Sequence, residues 1–333
     1  MNRVVLIGGL GRSGTNLARR IVGSHSKIAM LPVELKYFEN LQNGASVRKI
    51  LTKEIIIRRF SLDVSDLYSA SADQVFRGLL SRHAESIGKP IAGEKSPGNE
   101  FYYPAIMNCL KGIDTRFIHL VRNPFDAIAS FKHAHFCTKE NHDTLLNGIA
   151  ARAETWKRSL SLGLARALFQ PQAYCLVKFE DLTDNSVNTT ARLCEFLDVE
   201  FERDRMLSLS DFSKNRDNTS FPNSDSTRPT NATDNTDRIH ALESRKGYLT
   251  EQEIRLVGSI CGEMAQAIGY EDEDFNAVPD ERIAAGGRVR RNICRRISNR
   301  FLKHSGRYHV LQQSVSHLNS GRMILPRMKV KWP

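Results

Sequence analysis

The stretch Val4-Val5-Leu6-Ile7-Gly8-Gly9-Leu10-Gly11-Arg12-Ser13-Gly14-Thr15-Asn16-Leu17-Ala18-Arg19-Arg20-Ile21-Val22 leaves few options for the fold of its chain. Four apolar residues in a row predict a buried parallel strand. A glycine-rich turn follows, and Leu17, Ile21 and Val22 then recur at helical spacing. Strand, glycine turn and helix together form an anion-binding device. Glycines let the backbone come close to a ligand, and the free N–H groups of the helix start point at a phosphate. Gly9 and Gly14 have the spacing of a Walker loop, but Thr15 and Asn16 stand where a nucleotide triphosphatase needs Lys and Ser/Thr. The cation sits inside the loop instead, as Arg12. Such a phosphate cradle suits a donor other than Mg-ATP.

Further along, Ile28–Leu31 reads as a short extended piece leading to Pro32-Val33-Glu34-Leu35-Lys36-Tyr37-Phe38. Helical patterns follow over about 45–60 and 72–87. Pro90–Glu94 reads as a strand that runs into a loop, Lys95-Ser96-Pro97-Gly98-Asn99. Arg116–Val121 is an apolar strand, and the helix after it has Asn123 at its N-cap and Pro124 at its first position. A long helix over about 145–168, a strand Ala173–Phe179, a helix over about 186–197 and a closing helix over Leu249–Ile268 complete the pattern. Strands alternating with helices predict a doubly wound, mainly parallel α/β sheet flanked by helices, P-loop-like in its opening unit. The polar segment 213–237, with two prolines, reads as a long loop or lid, and Asn218 and Asn231 within it match the N-glycosylation pattern.

The 333 residues, 41% of them hydrophobic, suffice for a large core. The net charge of +11 is concentrated at the end, where Glu281 is the lone acid among roughly a dozen Arg and Lys. This divides the chain into a domain over 1–275 and a basic C-terminal extension over 276–333. The six cysteines (Cys109, Cys137, Cys175, Cys194, Cys261, Cys294) are scattered, which favours free thiols over disulfides or zinc. No leader or apolar membrane-length run is visible, so a cytoplasmic location is expected, peripheral to a membrane if the tail binds one.

Gly11-Arg12-Ser13-Gly14-Thr15, then Leu120-Val121-Arg122-Asn123-Pro124 with Ser130 eight residues after that Arg, resemble the sulfotransferases that use 3′-phosphoadenosine 5′-phosphosulfate (PAPS). Glu34-Leu35-Lys36-Tyr37-Phe38 and Glu94-Lys95-Ser96-Pro97 are similar to segments of the heparan-type carbohydrate members. Arg245-Lys246-Gly247 resembles the family's late 3′-phosphate loop. The resemblance covers roughly residues 1–270 and implies the family's P-loop-like fold. It also implies that Gly11, Arg12, Ser13, Gly14, Thr15 and Asn16 hold the 5′-phosphosulfate. Arg122, Ser130, Arg245, Lys246 and Gly247 would hold the 3′-phosphate, and Glu34 would take the proton from a sugar hydroxyl.

The residue chemistry agrees. Sulfuryl transfer resembles phosphoryl transfer and needs charge stabilisation, positioning and a base. Arg12 offers a planar fork to an oxyanion. Glu34, beside Val33, Leu35 and Tyr37, is expected to be partly desolvated, with a raised pKa. Lys95 is a second cation for the sulfonate or the acceptor, or else a solvated loop lysine. Arg122 lies at the carboxyl end of a strand, where open α/β sheets bind ligands. His119 alternates with strand neighbours and reads as a core residue. His133, His135 and His142 lack partners at ligand spacing, so no metal is expected.

The resulting expectation is transfer of a sulfuryl group from PAPS to a hydroxyl, with a carbohydrate or glycolipid acceptor favoured. A P-loop kinase and a non-catalytic binding protein of the same fold are the alternatives. For the basic tail three readings stay open: a solvated extension, a patch for an anionic membrane surface, or a docking face for an acidic acceptor. Its sparse aromatics fit no stacking module, so no nucleic-acid partner is expected.

Overall fold

The computed structural model describes residues 3–51, 64–133, 142–208, 244 and 246–276. Five strands form one sheet: β1 (Arg3–Gly9), β2 (Ile28–Met30), β3 (Ile91–Lys95), β4 (Asp114–Val121) and β5 (Tyr174–Lys178). Their spatial order is β2-β3-β1-β4-β5, and every pairing is parallel. The first strand of the sequence therefore lies in the middle, with Ile7 level with Lys95 on one side and with Ile118 on the other.

Six longer helices connect and cover the strands: α1 (Thr15–Ser24), α2 (Ala72–Ser86), α3 (Pro124–Lys132), α4 (His142–Phe169), α5 (Ser186–Leu197) and α6 (Glu251–Ala267). The strand period of two sorts β1 between two cores. Val5 and Ile7 pack with Ile21 and Val22 of α1, Leu193 of α5, and Ile118 and Leu120 of β4. Val4 and Leu6 face the other way, with Val75, Phe76 and Leu79 of α2 and the cross-strand pair Phe117 and Tyr174. Those two rings stack with centroids 4.8 Å apart. A third cluster lies beyond the carboxyl ends of the strands, where Leu10 and Val121 meet Phe125, Trp156, Val257 and Phe275.

Helix starts follow local chemistry. Asn123 caps α3 through its side-chain oxygen, which accepts from the Phe125 N–H at 2.9 Å, and Pro124 opens the helix. Reciprocal capping boxes start α2 at Ser71/Gln74 and α6 at Thr250/Glu253. One expectation needs correction: Lys95 is the last residue of β3 and only 1% exposed, rather than part of a solvent-facing loop. Of the helical pattern over about 45–60, the described residues carry helix at Val47–Leu51; 52–60 lie outside the described residues. So do Arg245, His135, the 213–237 segment with Asn218 and Asn231, and the basic extension from 277 onward. Cys109, Cys175, Cys194 and Cys261 are buried free thiols; Cys137 and Cys294 fall outside the described residues.

Candidate active site

The turn between β1 and α1 is shaped by backbone that only certain residues tolerate. Gly9 has φ +117°, and a side chain there would meet the Leu120 carbonyl oxygen at 2.3 Å. Gly14 has φ +85°, and a Cβ would lie 2.1 Å from the Phe179 ring. Between them Arg12 itself holds φ +81°, a left-handed conformation that costs a non-glycine residue about 1–3 kcal/mol and persists only where its surroundings enforce it. Gly14 is the N-cap of α1 and offers no side-chain cap, so the first N–H groups of the helix face the turn with the positive end of the helix dipole. Ser13 is 1% exposed, and its Oγ has no hydrogen-bond partner among the described residues. An unsatisfied buried hydroxyl beside an uncapped helix start fits a polyanionic ligand.

The end of β4 and the helix after it close on this turn. The Arg12 Nε donates to Ser130 Oγ of α3 at 3.0 Å. The Arg122 Nη1 donates to the Arg12 carbonyl at 3.3 Å, and its guanidinium lies 4.6 Å from the centre of the Phe179 ring. Arg122 is 6% exposed. Its own carbonyl accepts from the Trp156 indole N–H at 2.9 Å.

On the β3 side, Lys95 donates from its buried Nζ to both Asn16 Oδ1 of α1 and Glu34 Oε1. Burial lowers the pKa of Lys95, and the neighbouring Glu34 carboxylate opposes that shift. Glu34 keeps about a third of its side chain, 35%, open to solvent. Glu94, one residue before Lys95, is fully buried and holds the Glu34 segment in place. Its Oε1 accepts from the Leu35 N–H at 3.3 Å and from the Ser96 hydroxyl; its Oε2 accepts from Asn99 Nδ2 at 2.7 Å. Ser96 Oγ in turn accepts from the Lys36 N–H at 2.9 Å. Burial raises the pKa of Glu94, and these donors pull it back.

Lys246 and Gly247 lie apart from that grouping, in a short 3-10 turn against α3. Lys246 Nζ bonds Asp272 and Asp274, each at 2.5 Å, and sits 4.8 Å from the centre of the Phe125 ring. Burial works against its charge, but the two carboxylates outweigh it and raise its pKa. His119 is a core residue: its Nδ1 faces the Tyr174 hydroxyl at 2.8 Å and its Nε2 faces Ser159 Oγ at 3.1 Å. Among the described residues no His, Cys, Asp or Glu group could hold a metal, and no helix is long and apolar enough to cross a membrane.

The structure also adds residues that the motifs do not contain. Glu100, 0% exposed, accepts from the Gly9 N–H at 2.8 Å and from Ser159 Oγ at 2.7 Å. Arg152 of α4 donates to the Gly11 carbonyl. The available signal was the spacing of Arg152, Trp156 and Ser159, which puts them on one face of a helix.

A model of the sulfotransferase family matches residues 5–203. No curated protein sequence matches the chain. Among solved structures, a sulfotransferase domain from the curacin biosynthetic pathway is 21% identical. That match covers 81% of this chain and 99% of the other, with a TM-score of 0.49. A sulfotransferase domain of the Synechococcus PCC 7002 olefin synthase is 19% identical, covering 81% and 96% of the two chains at a TM-score of 0.45. A mouse sulfotransferase complexed with PAP is 12% identical, covering 80% and 84% at a TM-score of 0.47. The family model spans more than half the chain and includes the phosphate-type turn, Glu34, Lys95, Arg122 and Ser130; the chain is an enzyme that belongs to the sulfotransferase family.

Proposed function

We propose that the enzyme moves the sulfuryl group of PAPS to a hydroxyl of a carbohydrate or glycolipid, with Glu34 as the general base. The observation that carries this reading is the meeting of three segments at one helix N-terminus. Arg12 reaches Ser130, Arg122 reaches the Arg12 carbonyl, and Lys95 joins Asn16 to Glu34. When bound, PAPS supplies an activated sulfur whose leaving group is a phosphate.

The amides of Gly14–Asn16 and the Arg12 guanidinium stabilise the negative charge that builds on that phosphate as the S–O bond breaks. Ser13 Oγ gains a partner, having none among the described residues. Arg122 and Ser130 hold the 3′-phosphate; the assignment of Arg245, Lys246 and Gly247 to the same phosphate rests on their resemblance to the family's late loop. Glu34 takes the hydroxyl proton as the acceptor oxygen bonds to sulfur. Lys95 steadies the sulfonate, and its contact with Glu34 keeps cation and base at a fixed separation. The products are a sulfate ester and adenosine 3′,5′-bisphosphate. The acceptor class rests on the likeness of the Glu34 and Lys95 segments to heparan-type enzymes.

The test combines binding with turnover. Adenosine 3′,5′-bisphosphate should bind without magnesium and better than ATP, and Arg122→Ala should abolish that binding. With labelled PAPS and a panel of carbohydrate and glycolipid acceptors, Glu34→Gln should lose transfer by about 10²–10⁴-fold while still binding the bisphosphate. Magnesium-dependent ATP binding alone would promote a kinase. Donor binding with no transfer, indifferent to Glu34→Gln, would mark a non-catalytic protein.

A further inference from the structure

We infer that Arg152 is a positioning residue for the sulfuryl donor, gripping the phosphate turn from outside the family's motifs. The inference rests on the donor reading above. The turn must show N–H groups to an anion and turn its carbonyl oxygens away. Three successive carbonyls are held by donors: Leu10 by the Ser13 N–H at 3.0 Å, Gly11 by Arg152 Nη2, and Arg12 by Arg122 Nη1 at 3.3 Å. A trans peptide is planar, so its C=O and N–H point in opposite directions. Fixing the Gly11 oxygen on Arg152 therefore aims the Arg12 N–H away from that guanidinium. Fixing the Arg12 oxygen on Arg122 does the same for the next peptide. The two guanidinium groups thus hold the peptide units on either side of the left-handed Arg12. That grip supplies the enforcement its backbone needs.

Arg152 is itself fixed. Its guanidinium lies 4.5 Å from the centre of the Phe131 ring on α3. It projects from the same α4 face as two other supports of the donor site. Four residues on, Trp156 bonds the Arg122 carbonyl; three further, Ser159 bonds Glu100, which holds the Gly9 N–H. One helix face thus fixes the turn at Gly9 and Gly11 and also the strand end that carries Arg122.

Gly11 supplies the control. A Cβ built there would meet Arg152 Nη2 at 3.2 Å and Pro97 Cβ at 3.8 Å. Gly11→Ala therefore perturbs this contact above all others. The experiment is a double-mutant cycle of Gly11→Ala and Arg152→Ala on the full chain. It reads the dissociation constant of adenosine 3′,5′-bisphosphate by calorimetry and the melting temperature without ligand. Arg152→Ala should weaken binding by about tenfold to a hundredfold. The pair should be no worse than the poorer single variant, because each removes the same contact. A merely structural role would lower the melting temperature without that coupling. Arg152→Gln replaces the alanine variant if the latter does not fold. Unchanged affinity, or losses that multiply, would overturn the inference. If the wild type fails to bind the bisphosphate, the donor reading itself falls, an outcome told apart by the first titration.

Discussion

His119 shows what burial does to a single titratable side chain in this chain. Buried desolvation lowers its pKa to about 4, opposed by the Glu100 charge and assisted by Arg166, against about 6.5 when exposed. The unfolded chain therefore binds the extra proton first as the solution is acidified. The stability involved is fully present above about pH 6.5 and is lost as pH falls to about 4, roughly 3 kcal/mol in all. His83, whose pKa burial also lowers, adds to the same slope. His119→Gln should flatten the dependence of urea-unfolding free energy on pH between 6.5 and 4. An unchanged slope would show that His119 does not drive it. At this scale the sequence was informative where chemistry is local. Arg12, Glu34 and Arg122 stood out beside glycines, apolar runs and a helix start. Glu100 and Arg152 did not, because their partners are 91 and 141 residues away. Nothing in the local pattern of a buried carboxylate or a mid-helix arginine names such a partner.

Elements whose ends carry their own signals were legible nearly residue by residue. Asn123-Pro124 marks the start of α3, and Thr250 with Glu253 marks that of α6. The short helices Tyr37–Gln42, Tyr103–Cys109 and Phe179–Asp184 were not read, since a turn or two is too short to display an apolar period. The cap of α3 has two duties, because the Asn123 N–H also donates to Glu180 Oε1 at 2.9 Å. Asn123→Ala should lower unfolding free energy by about 1 kcal/mol through the lost cap. It should also weaken bisphosphate binding, because the first turn of α3, directly after Arg122, loosens once the side-chain cap is gone, although the backbone contact to Glu180 persists. Urea midpoints and calorimetric titration of the same variant check both parts. A stability loss with full affinity would confine Asn123 to folding.

For the whole molecule, the relevant quantity is the field of a chain with net charge +11 acting on a polyanionic donor. Association of adenosine 3′,5′-bisphosphate should slow severalfold between low salt and 0.5 M salt, roughly, as the Debye length shrinks. Trp156, hydrogen-bonded to the Arg122 carbonyl, offers a fluorescence reporter for stopped-flow measurement. A salt-independent rate would mean that only the contacts inside the turn matter. Sheet order was only partly legible: alternation of strands and helices predicts parallel pairing, but no local signal says which strand lies in the middle. The order found has β1 between β3 and β4, so the turn receives Lys95 of β3 and the Glu34 segment that follows β2 on one side and Arg122 with Ser130 on the other. The two flanks meet at the turn but lie in different parts of the chain. On the roles proposed above, evolution can rewrite the β3 flank for a new acceptor while inheriting the β4 flank unchanged, and lineages built on this plan should diverge in one half of the pocket and agree in the other.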